Sequence, residues 1–75
     1  MTKYLVIELQ TFNDGSMTSP AYAYDTQASA ENKYHTILAS AAVSKLPKHA
    51  AVLMTNDGYV METKCYEHEP ESEGA

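Results

Sequence analysis

The sequence of 75 residues has no arginine and no tryptophan, and only one cysteine, one phenylalanine, three glycines and three prolines. Each scarcity closes off a class of protein. One cysteine cannot form an internal disulfide, so the fold has to rest on its core or on self-association. Without arginine the chain lacks the planar fork that grips phosphate bidentately, and its lysines are scattered, so nucleic acid is not an expected partner. Two of the three glycines fall in "NDG" turns, which leaves no glycine-rich loop to cradle a phosphate. A nucleophile elbow and a dinucleotide fingerprint are missing too, so the chain reads as not an enzyme and as needing no cofactor. No apolar run approaches the roughly 20 residues that span a bilayer. The opening "MTKYLVIELQ" reaches Glu8 too soon for a secretory signal, and the expectation is a cytoplasmic protein without a membrane partner.

What is present is small and acidic. A chain of this length makes one domain whose core supplies only about 3–5 kcal/mol of net stability. The net charge of −5 is unevenly placed, because Glu67, Glu69, Glu71 and Glu73 crowd the end of the chain. Residues 1–68 read as one folded domain, and 69–75 as a disordered acidic tail rich in residues that bury little.

The segment "KYLVIELQTF" alternates, with Leu5, Ile7 and Leu9 on one side and Tyr4, Val6 and Glu8 on the other, as a strand does. After a turn at Asn13 to Ser16, Pro20 precedes "AYAYD", a short second strand carrying Tyr22 and Tyr24. Asp25 or Thr26 can cap a helix whose stripe is Ala30, Tyr34, Ile37, Leu38, Ala41 and Ala42. Lys45 is expected in its last turn, with Pro47 as the stop. "HAAVLMT", the turn "NDG" at Asn56 to Gly58 and "YVMETKCYEH" then read as a hairpin. The expected architecture is α+β, a two-layer ββαββ unit with a four-stranded antiparallel sheet and one helix packed on one face.

Three candidate sites emerge. His49, Cys65 and His68 are zinc-ligand types at the close spacing metal sites use, yet Cys65 and His68 stand three apart on a strand and should face opposite ways. Structural roles are favoured: a small buried thiol at Cys65, an imidazole bonded to backbone at His49, and at His68 an imidazole placed where the acidic tail begins. His35, following Tyr34, is placed at the border of the helix stripe. The third feature is the sheet face away from the helix. If Leu5, Ile7 and Leu9 face the helix, that second face carries Tyr4 and Tyr66, with Tyr22 and Tyr24 as further candidates, and tyrosine is enriched at interfaces.

A longer run carries a resemblance. With the opening "KYLVIELQ", the features "KYH", "AAVS", "LPKHAAVL", the "DG" turn and "CYEHE" resemble a group of small uncharacterised Firmicutes proteins carried on conjugative transposons and prophages. The likeness covers about residues 3–69. It implies the context of a mobile-element accessory protein, and brings no activity and no site residues with it. The leading expectation is a homodimer that meets a host or element-encoded protein through its tyrosine-bearing face. The alternatives are a binder that sequesters a nucleotide-type ligand between Tyr22, Tyr24, Tyr34 and His35, and a small zinc protein using His49, Cys65 and His68.

Overall fold

A computed structural model describes residues 1–68 of the chain. The expected acidic tail at 69–75 lies outside the described residues. The elements follow in the order β1 (Tyr4–Thr11), β2 (Met17–Thr18), β3 (Ala21–Tyr24), α1 (Gln27–Ala42), β4 (Lys48–Thr55) and β5 (Val60–Glu67). All strand pairs are antiparallel: β1 lies between β4 on one side and the short β2 and β3 on the other, and β5 pairs with β4. The α+β two-layer arrangement is therefore present, with a two-residue fifth strand added in the β1–β3 connection.

Local chemistry accounts for the joints. Gly15 and Gly58 sit at φ +90 and +92, the left-handed region that side chains resist, and so end the two "NDG" turns. At the start of α1, Thr26 is extended and its hydroxyl accepts from the Ser29 amide at 3.2 Å, which satisfies one orphan donor of the first turn. The helix stops at Ala42, where Val43 donates back to Ser40. Lys45 consequently lies beyond the helix, not in its last turn, and Pro47 precedes β4 without being the stop.

The core corrects one expectation of face. Val6, Ala51 and Leu53 of the sheet pack with Ala30, Tyr34 and Ile37 of α1, flanked by Tyr4 and Tyr24. Since side chains alternate and Val6 stands opposite Leu53, the helix covers the Tyr4–Val6–Glu8 side of β1. Leu5, Ile7 and Leu9 point the other way. Tyr22 and Tyr66 share the helix side, being paired with Val6 and His49. The physical reason lies in shape. Alanines at 30, 41 and 51 let α1 approach the sheet closely over Val6 and Leu53, while tyrosines at the rim cover area with their rings and keep hydroxyl groups near water.

Candidate functional site

Two features stand out once the side chains are placed. The first is the sheet face that α1 leaves open. Leu5, Ile7 and Leu9 of β1 stand opposite Met54, Val52 and Ala50 of β4. Ala23 and Ala21 flank them on one side, and Thr63 and Cys65 on the other. Two exposed hydrophobic residues extend the same face: Met17 opposite Thr11, 55% exposed, and Val60 opposite Met54, 47% exposed. The charges that the register assigns to this face are Lys48 and Glu67, and those two are paired with each other at one end. Among the described residues, α1 is the only helix and it sits on the opposite side.

The second feature is a buried polar relay at the end of the core where the helix finishes. His49, 4% exposed, is a buried polar residue beside the core. Its Nε2 lies 2.7 Å from a carboxylate oxygen of Glu8, and its Nδ1 lies 3.0 Å from the Ser44 hydroxyl. A carboxylate only accepts, so Nε2–H donates to Glu8, and in the neutral ring Nδ1 accepts from Ser44. The Leu46 amide in turn donates to the Ser44 oxygen at 3.4 Å. Strand parity builds this contact: Glu8 and His49 share the helix side on neighbouring strands, one diagonal step apart, since His49 stands opposite Gln10. Close by, His68 Nε2–H donates to the Ala41 carbonyl at 2.8 Å and its ring lies parallel to that of Tyr66. A C-terminal helix carbonyl thereby gains a side-chain cap.

Serine, histidine and glutamate in hydrogen-bonding sequence are also the parts of a nucleophile relay. Here Ser44 follows directly after the carbonyl end of α1, and its amide donates to the Ala41 carbonyl at 3.3 Å. The negative end of a helix dipole opposes the oxyanion that acyl transfer would build there. The relay is better suited to locking β1, β4 and the α1–β4 connection together.

The zinc-type residues do not converge. Cys65 is exposed on the open face opposite Ala50, while His49 and His68 lie on the helix side. Among the described residues no group of three or more His, Cys, Asp or Glu is placed to hold a metal ion. The tyrosines expected to line a ligand site are largely engaged. Tyr34 is 3% exposed in the core, with Tyr4 and Tyr24 packed against it. Tyr22 lies under the Lys33 ammonium, 4.2 Å from the ring centroid, and Tyr66 lies beneath Lys64 at 5.0 Å. His35 is exposed and meets Tyr34 edge-on.

Three ionisations are displaced. Burial raises the Tyr34 phenol above its ordinary value, and the Glu62 and Tyr66 charges add to that. Hydrogen bonds from the Ser16 hydroxyl and amide lower Asp14, and the Thr55 hydroxyl lowers Asp57, so each "NDG" turn is fastened by an aspartate that accepts from a neighbour.

Sequence reasoning did not single out Glu8 or Ser44. The signal for Glu8 was its position, an acid inside a strand that is apolar at both parities and on the side of Val6. Ser44 carries no comparable signal, because its role comes from how the chain turns back after α1. No family model matches the sequence, and neither a curated protein nor a solved structure matches it.

Proposed function

We propose that this chain is a non-enzymatic interaction protein that self-associates by packing its open sheet face against the same face of a second copy. The observation that carries the reading is the distribution of aliphatic side chains. The helix takes the side with Tyr4, Val6 and Glu8, and the row Leu5, Ile7, Leu9 with Val52 and Met54 is left without a covering element among the described residues. A chain living alone gains most by placing its more apolar side under its helix, because burial stabilises in proportion to apolar area. The reverse choice makes sense when the greasier side has its own cover.

A second copy is the occupant that fits. Strands of eight residues rise about 26 Å and four adjacent strands span about 19 Å, so the flat projection of the face is roughly 500 Å². That is at the upper end of the patches that monomers expose and is a large part of the about 800 Å² per partner in a stable complex. The charges that the register puts on the face, Lys48 and Glu67, lie at one end, so none stands among Leu5, Ile7, Leu9, Val52, Met54 and Thr63, and an isologous contact needs only one self-complementary surface. Two sheets packed about 10 Å apart with a helix outside each would make a four-layer sandwich.

The resemblance to small proteins of conjugative transposons and prophages supplies the proposed setting, an accessory protein of a mobile element working in the cytoplasm beside a protein partner. The nucleotide-sequestering alternative has less support, since Tyr34 is inside the core, and the zinc alternative would need Cys65 to cross the sheet.

Sedimentation velocity of the wild-type chain and of Ile7→Lys tests the proposal. Ile7 is central to the face and outside the helix-side core, so the variant should keep its circular dichroism spectrum and lose the association made through this face. A wild-type chain that stays monomeric at hundreds of micromolar, or an Ile7→Lys chain that associates as before, would overturn it.

A further inference from the structure

The sheet has two very unequal edges. One is broken into β2, two residues long, and β3, four residues long, with Pro20 between them accepting from the Glu8 amide. Short strands and proline are ordinary ways to blunt an edge. The other edge is β5, eight residues long, and among the described residues no strand pairs with its outer side. Its backbone phase can be read from one bond. The His68 amide donates to the Pro47 carbonyl, and alternation along an antiparallel ladder then turns the backbone groups of Tyr66, Lys64 and Glu62 toward β4. Those of Thr63, Cys65 and Glu67 are turned outward.

We infer that β5 is a second self-association element, pairing antiparallel with β5 of another copy about a two-fold axis at Thr63. Charges on an edge strand usually discourage pairing. The order here is Glu62, Thr63, Lys64, with the negative and positive side chains on the helix side of the strand and the neutral one between them on the open face. A two-fold axis through Thr63 sets Glu62 opposite Lys64 of the second copy and Lys64 opposite Glu62. Opposite charges directly across strands attract, so the pattern is complementary to itself and mismatched with an in-register parallel copy. Thr63 meets Thr63 with both outward backbone groups available for reciprocal hydrogen bonds. The axis stands normal to the sheet, so both helices stay on one side and the open aliphatic faces merge into one wider face. Combined with face-to-face packing, the closed product has dihedral symmetry and four copies. The edge contact does not depend on the face contact, and separate substitutions report on each.

The test is sedimentation equilibrium of the full chain at a series of concentrations. Glu62→Lys and Lys64→Glu each turn two attractions into repulsions and should weaken the edge association roughly tenfold or more. The double swap E62K/K64E restores complementarity and should bring association back to near the wild-type strength. Thr63→Pro removes an outward N–H that bonds nothing in β4, so it should abolish edge pairing while the thermal melt of the dilute protein is kept. Ile7→Lys should leave an edge-paired dimer, and Ile7→Lys with Thr63→Pro a monomer. A double swap that associates no better than either single swap, or a Thr63→Pro chain with unchanged mass, overturns the inference. A wild-type dimer sensitive to Thr63→Pro but indifferent to Ile7→Lys supports the edge and refutes the face.

Discussion

Replacing His49 by alanine should be among the most damaging single changes available in this chain. The ring is 4% exposed and makes two hydrogen bonds, one to a carboxylate. Losing a bond to a charged group costs about 1.5–3 kcal/mol and the neutral bond to Ser44 about 1 more, so the total is roughly 3 kcal/mol. Much of that cost is the Glu8 carboxylate, whose side chain is only 16% exposed and would be left without its donor. A domain of this size draws only about 3–5 kcal/mol of net stability from its core. The alanine variant should therefore sit near the edge of folding at 25 °C. The control is the double variant E8L/H49L, which removes donor and acceptor together and should be markedly more stable than His49→Ala. Urea unfolding followed by circular dichroism, at one fixed protein concentration because association adds to apparent stability, reads both. A loss under about 0.5 kcal/mol for His49→Ala, or a double variant as unstable as two independent losses, would refute the relay as a structural lock.

Other outcomes follow from the same geometry. Gly58→Ala should cost about 1–2 kcal/mol at the β4–β5 turn, since φ +92 strains any side chain, and equilibrium unfolding measures it. Thr26→Ala removes the helix cap and should cost about 1 kcal/mol, with Thr26→Ser restoring most of it. Tyr34 has its folded value raised, so its contribution to stability is complete below the ordinary phenol value near 10 and falls as the pH rises through it. Tyr34→Phe should accordingly flatten the alkaline arm of the stability curve. Asp14 and Asp57 have theirs lowered, so the stability they give the turns is present above the ordinary carboxylate value and lost as the pH falls below it. Zinc should leave the melting temperature of the chain unchanged, because Cys65 faces away from His49 and His68; a rise on adding zinc would contradict that placement.

Much of the architecture was legible because period and punctuation agree in this sequence. Alternation in "KYLVIELQTF", the threonine before the helix stripe, and two "NDG" turns mark β1, the start of α1 and the β4–β5 hairpin. Which side of the sheet the helix would choose was not legible. β1 and β4 are apolar at both parities, so alternation shows two faces without ranking them, and counting aliphatic residues points to the wrong one. The ranking came from small side chains at the helix–sheet contact, alanines 30 and 41 of α1 and 51 of β4. The Glu8–His49 contact was hidden for another reason: 41 positions separate the partners, and only the β1–β4 register brings them within reach. The histidines were visible as residue types, but the elements that would satisfy each of them were not.

If the aliphatic side of this sheet is an interface between copies, mixed-label NMR will detect it. A sample with half its chains labelled in methyl groups, the rest unlabelled, should show intermolecular contacts from Ile7, Leu9, Val52 and Met54 across a shared apolar layer. Methyl contacts confined to single chains that tumble as 8.3 kDa particles would show that this side of the sheet is not an interface.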